Sequence, residues 1–271
     1  MGSGIAETAA THGFEVILRS RSQSTADATL AAMEKSLNRQ VEKAKLTEAE
    51  RDDALARVTA TSDLAALKDL DLVIESVVED LAVKKELFNE LDRITGDHTI
   101  LATNTSTLPV IELAIQTGRP DRVCGVHFFN PAPVMELVEL VKPLTASDAT
   151  LATVRTFAEA CGKTPVQVKD QAGFIVNALL FPYLNNAVRL LEQGVASVED
   201  IDTAMKGGCG FPMGPFALLD LVGLDTSLAI LDALYAEFRD PNYAAVPLLR
   251  RMVTAELLGR KSGQGFLDYR K

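Results

Sequence analysis

The sequence predicts an α/β protein in two parts: a doubly wound, mostly parallel sheet over residues 1–171, then an all-helical domain over residues 172–271. Three observations carry this prediction. Short β-rich runs alternate with amphipathic helical patterns through the first part, the order that builds βαβ units. A glycine-bearing helix opens the chain, Met1-Gly2-Ser3-Gly4-Ile5-Ala6-Glu7. From Gly173 onward only helical periodicity is found.

Composition narrows the function. The chain has 271 residues, 47% hydrophobic and 24% charged, which suits one large or two ordinary globular domains. A net charge of −10 argues against nucleic acid as a partner, since binding it needs a basic face. Cys124, Cys161 and Cys209 are scattered, as expected in a reducing, cytoplasmic compartment without a disulfide frame, and Cys124 in its apolar run reads as a buried, inert thiol. No metal-ligand spacing appears, no apolar run is long enough to span a membrane, and no signal peptide is read at the N-terminus.

The opening helix runs to about His12, Gly13 ends it, and a strand follows at 14–18. A glycine-opened helix followed by a strand is the second half of a dinucleotide-binding βαβ unit, here without its first strand and first two glycines. At the end of strand 14–18 an NAD site places an acid on the ribose hydroxyls; this chain has Arg19-Ser20-Arg21-Ser22, and cations beside hydroxyls suit a 2′-phosphate, so NADP stands beside NAD. A long helix at 24–45 follows, apolar along Leu30, Met33, Leu37 and Val41 and basic along Lys35, Arg39, Lys43 and Lys45. That basic face is either solvated or a dock for an anion. A helix at 47–56 carries a capping-box pattern at Thr47 and Glu50.

Strands are expected at 58–61 and 72–77, with Glu79 just after the second, then a helix at 81–94 carrying Lys84. Strand 99–103 delivers Asn104-Thr105-Ser106 at its C-terminal end, and ligands of such sheets bind outside the strand C-termini. Runs 123–129 and 138–141 read as buried strands around the turn Asn130-Pro131-Ala132-Pro133. Pairing them brings Glu139 toward His127. A carboxylate on one imidazole nitrogen fixes the tautomer and leaves the other nitrogen to move a proton, the logic of a general base with its orienter. A satisfied structural pair is the competing reading of the same spacing. A helix at 147–161 and a strand at 164–168 close the first part; helices at 174–192, 198–206, 216–238 and 248–257 make the second, with a boundary at 170–173. Asn177, near that boundary, is an amide among apolar neighbours and needs a partner if buried. The helical part carries more apolar face than one short bundle buries, which predicts a subunit interface there.

These residues together resemble the short-chain (S)-3-hydroxyacyl-CoA dehydrogenases, and most closely the bacterial 3-hydroxybutyryl-CoA dehydrogenases. The resemblance covers essentially the whole chain and is carried by MGSGIAE at the start, VIESVVED at 73–80, ATNTSTL at 102–108, GVHFFNPAPVMELVELV at 125–141, GFIVNALLFPYLNNAVRLLEQG at 173–194, PMGPFALLDLVGLDT at 212–226 and GRKSGQGFLDY at 259–269. It implies a Rossmann-type domain followed by a helical dimerisation domain, and reversible oxidation of a 3-hydroxyacyl-CoA to the 3-ketoacyl-CoA with a nicotinamide cofactor. It implies His127 as the base, Glu139 as its orienter, Ser106 on the reacting oxygen and Asn177 positioning the substrate carbonyl region. It implies Gly2, Glu79, Lys84, Ser106, Asn130 and Lys261 at the cofactor, joined by Ser20 and Arg21 from the strand-end argument. Ser36 and Lys43 fall on coenzyme A positions. Two departures stand out. The family has a first strand and a complete G-x-G-x-x-G ahead of Met1, so the native start is expected upstream, and a sheet without that central strand is expected to expose its edges. Ser20 replaces the usual acid, which puts NAD preference in doubt. A dehydrogenase of a 3-hydroxy acid lacking coenzyme A, or an inactive truncated scaffold, are the alternatives.

Overall fold

The computed structural model describes residues 1–270. It divides into two compact units, the first Met1–Asp170 and the second beginning at Gln171.

In the first unit, helix α1 (Gly2–Thr11) is rich in alanine, the strongest helix former, and buries Ile5, Ala6, Ala9 and Ala10. Strand β1 (Val16–Arg19) follows. Helix α2 (Gln23–Glu42) starts at Ser22, whose hydroxyl accepts the Thr25 N–H; helix α3 (Glu48–Ala56) starts in the expected capping box of Thr47 and Glu50. Then come β2 (Val58–Thr61), β3 (Leu72–Glu75), α4 (Leu81–Ile94, capped by Asp80), β4 (Ile100–Thr103) and a short α5 (Ile111–Ala114). Strands β5 (Val123–Phe128) and β6 (Leu137–Lys142), helix α6 (Asp148–Ala160, capped by Ser147) and β7 (Thr164–Lys169) complete it.

The strands form two sheets rather than one. β1 pairs with β2, and β3-β4-β5-β6-β7 lie side by side in that order. Every pair is parallel except β5 with β6, which is antiparallel. β4 and β5 are buried along their whole length, as strands covered on both faces are. The apolar Val16, Ile17, Leu72, Val73 and Ile74 are only half-buried, and β1 and β3 are both edge strands of their sheets. β3 stops two residues short of the predicted 72–77, because the Glu75 carboxylate takes the Val77 N–H at 2.6 Å and turns the chain out of the strand.

The second unit is helical: α7 (Val176–Glu192), α8 (Val198–Cys209), α9 (Pro215–Val222), α10 (Leu224–Phe238) and α11 (Pro247–Thr254). Its core is built from Phe181, Leu184, Val188, Phe216, Leu219, Leu224, Leu231 and Leu234. α7 begins at Val176 rather than 174, since Phe174 sits at φ 47°, outside any right-handed helix. The helix predicted over 216–238 is two helices. Gly223, at φ 100°, breaks it in a conformation that L side chains rarely adopt. No described helix is long and apolar enough to cross a membrane.

Candidate active site

The antiparallel pairing of β5 with β6 sets His127 directly opposite Glu139. Residues facing each other across two strands project to the same side, so the two side chains must meet. His127 Nδ1 lies 2.8 Å from Glu139 Oε2, with both residues buried. A carboxylate only accepts, so Nδ1 donates and the lone pair of the neutral ring falls on Nε2. The approach of the two strands depends on Gly125, two residues earlier and opposite Val141: a Cβ there would stand 2.7 Å from the Val141 Cβ. The Phe129 ring packs 4.5 Å from the imidazole. Asn130 opens the turn between the strands through a cis bond to Pro131. Lys163 holds that turn by donating to the carbonyls of Ala132 (2.7 Å) and Met135 (3.0 Å), and its burial lowers its own pKa.

Ser106 follows β4. Its loop is fastened to the end of β5 by the Phe128 N–H, which donates to Asn104 Oδ1 at 2.8 Å, so the serine loop borders the histidine strand. The loop is fastened on its other side to Glu79, whose Oε1 accepts from the Ser106 N–H at 3.0 Å and from the Thr105 hydroxyl. Glu79 is in turn 3.3 Å from Lys84 Nζ. Lys84 is 1% exposed and its main partner is Glu75, at 2.7 Å; Glu75 also accepts from the Thr103 hydroxyl at 2.7 Å. One buried network therefore ties the ends of β3 and β4 to α4. Lys84, expected at the cofactor, is positioned to hold Glu79 from beneath. Glu75, Thr103 and Asn104 were not assigned roles from the sequence. The signal for Glu75 was present: an acid inside an apolar strand needs a cation.

The first turn of α1 lies between two strand ends. A Cβ on Gly2 would stand 3.8 Å from the Ser76 Cβ just past β3; one on Gly4 would stand 3.2 Å from Pro133 in the turn after β5. A helix N-terminus stripped of side chains beside the C-terminal ends of parallel strands fits the diphosphate of a dinucleotide. Ser20 continues the β1–β2 ladder through its N–H to the Thr61 carbonyl; Arg19 donates from Nε to the Ser62 carbonyl, and Arg21 is exposed. On α2, Ser36 donates its hydroxyl to Glu7 at 3.1 Å, and Lys43 is exposed at the helix C-cap. In the second unit, Asn177 is buried in the first turn of α7, and Lys261 pairs with Asp225, with Nζ 2.6 Å from Oδ2. Cys124 is fully buried in β5, which pushes its thiol up to about 12, as the inert reading requires.

A buried histidine–carboxylate pair and a glycine-opened helix N-terminus in one unit suit a nicotinamide-dependent dehydrogenase. Comparison with known proteins narrows the class. The family model for the 3-hydroxyacyl-CoA dehydrogenase NAD binding domain matches residues 1–171, and that for the 3-hydroxyacyl-CoA dehydrogenase C-terminal domain matches residues 173–269. A 3-hydroxybutyryl-CoA dehydrogenase of Mycobacterium tuberculosis is 50% identical over 99% of this chain and 95% of its own; one from Clostridioides difficile is 48% identical over 100% and 96%. The crystal structure of (S)-3-hydroxybutyryl-CoA dehydrogenase PaaH1 from Ralstonia eutropha is similar with a TM-score of 0.98 at 44% identity, covering 100% of this chain and 96% of that one. The chain belongs to the 3-hydroxyacyl-CoA dehydrogenase family of NAD-dependent oxidoreductases.

Proposed function

We propose that this enzyme interconverts (S)-3-hydroxybutyryl-CoA and acetoacetyl-CoA, with His127 moving the proton and Glu139 orienting it. The observation that carries this reading is the buried 2.8 Å bond between His127 Nδ1 and Glu139. In the oxidative direction His127 Nε2 takes the proton of the C3 hydroxyl, and Glu139 stabilises the imidazolium that forms. When bound, the nicotinamide accepts the hydride that leaves C3. Ser106 donates to the C3 oxygen while its loop is held by Glu79 and Asn104, and Asn177 orients the thioester carbonyl region. Gly2, Glu79, Asn130 and Lys261 hold the dinucleotide, Lys84 acts through Glu79, and Ser36 and Lys43 hold the coenzyme A moiety. Residues 1–171 and 172–271 divide this work as a dinucleotide-binding and a substrate and dimerisation domain.

Ser20 and Arg21 support a second element of the proposal: NADPH serves at least as well as NADH. Neither residue repels a 2′-phosphate, and Arg21 supplies an exposed cation. The enzyme is also proposed to be a homodimer through its helical unit. Leu179 and Leu190 on α7 are 72% and 43% exposed, and their spacing of three helical turns puts them on one face.

The test is loss of reduced-nicotinamide absorbance on adding acetoacetyl-CoA, with NADH and NADPH in parallel. Turnover with both, and kcat/KM for NADPH no lower than for NADH, is expected. No turnover with either cofactor defeats the substrate assignment, and a clear preference for NADH defeats the Ser20 and Arg21 reading.

A further inference from the structure

Glu7 is the one ionisable side chain within α1, and it is 3% exposed. It reaches α2 across a seam where Ala6 and Ala10 of α1 cluster with Met33 and Leu37 of α2 and Ala54 of α3. An acid in such a seam is costly, and a methionine would fill it without that cost. Burial raises its pKa, and two hydrogen bonds oppose the rise. Both come from α2, one turn apart: the Ser36 hydroxyl at 3.1 Å and the Gln40 side-chain amide at 2.6 Å, each donating to Oε1. No recorded ion pair among the described residues includes Glu7. Lys35 and Arg39 on α2 are exposed, and His12 borders the same small cavity, of about 200 Å³.

A hydroxyl has one proton. With that proton committed to Glu7, Ser36 offers only lone pairs to anything that approaches it. We propose that Glu7 is a positioning residue that fixes Ser36 as a hydrogen-bond acceptor, so that Ser36 recognises an N–H donor of the coenzyme A moiety rather than one of its phosphates. The donors of that chemistry are the pantetheine amides and the adenine amino group. The phosphates are left to Lys35 on α2 and Lys43 at its C-cap, which are donors only. This inference rests on the assignment of Ser36 to the coenzyme A site.

Glu7→Met removes the acceptor that holds Ser36, and Glu7→Gln restores it, because an amide oxygen accepts from Ser36 and Gln40 as the carboxylate does. The measurement is KM for acetoacetyl-CoA in the full chain, with kcat, KM for the dinucleotide and melting temperature alongside. Glu7→Met is expected to raise KM for acetoacetyl-CoA about three- to tenfold, the worth of one hydrogen bond. It is expected to leave kcat and the dinucleotide KM within about twofold, and Glu7→Gln to recover most of the loss. Ser36→Ala is expected to raise KM similarly, and adding Glu7→Met to it should cost nothing more, as coupled residues behave. Losses that multiply in the double variant, or that Glu7→Gln leaves unrecovered, overturn the role of Glu7. An unchanged KM in Ser36→Ala is a different failure, that of the Ser36 assignment itself. Free coenzyme A and 3′-dephospho-coenzyme A as competitive inhibitors supply the last arm: Ser36→Ala should weaken both by the same factor. A loss confined to the inhibitor carrying the 3′-phosphate overturns the acceptor assignment.

Discussion

Two buried carboxylates in one sheet meet their partners at nearly the same distance, and the proposed mechanism gives them opposite uses. Glu75 at the end of β3 is 4% exposed and meets Lys84 at 2.7 Å; Glu139 in β6 is 1% exposed and meets His127 at 2.8 Å. The difference is the partner. An ammonium group only donates, so Glu75 and Lys84 form a fixed clamp, completed by Thr103, the Val77 N–H and Glu79. An imidazole has two ring nitrogens, so the same contact at His127 orients the ring, and in the proposed mechanism the second nitrogen moves the proton. Burial and distance are alike in the two pairs; the difference lies in the partner, an ammonium that only donates or an imidazole with a second ring nitrogen.

That contrast can be sharpened at three strengths. Glu139→Gln should lower kcat by about 10²- to 10⁴-fold with the fold intact, because the amide can donate to Nδ1 and stabilise the tautomer that carries its proton on Nε2. Kinetics with acetoacetyl-CoA beside a thermal melt would check it, and a retained kcat would return the pair to a structural role. Lys84→Met should do the reverse in kind, destabilising the fold by about 3–5 kcal/mol through the charge left on Glu75. Denaturant unfolding should then show the Glu75→Gln, Lys84→Met double variant more stable than Lys84→Met alone; equal stability would mean that the pair is no clamp. The smallest effect belongs to Lys261, whose pairing with Asp225 is 45% and 41% exposed. Lys261→Met should change stability by less than about 1 kcal/mol and act on the dinucleotide KM instead.

What the sequence disclosed follows the same division between local and distant causes. The His127–Glu139 pairing was legible because both residues lie on one hairpin, twelve positions apart, with a proline-rich turn between them. The capping box of α3 and the bounds of α4 were legible for the same reason. The Glu75–Lys84 clamp was legible only in half, although its members lie nine positions apart: the acid inside the strand calls for a cation, but which one is settled only when the helix that carries Lys84 folds back onto it. Ser36 was placed by resemblance, yet its bond to Glu7 spans 29 positions and two helices, which no periodicity reports. The break at Gly223 went unread because apolar spacing continues through it, from Leu218 and Leu219 to Leu224 and Leu228.

The hairpin has a consequence for motion. His127 and Glu139 belong to adjacent strands of a single sheet, within one of the two compact units, and Lys163 fastens the turn between those strands. Any displacement of this hairpin carries His127 and Glu139 together, because one antiparallel ladder holds both.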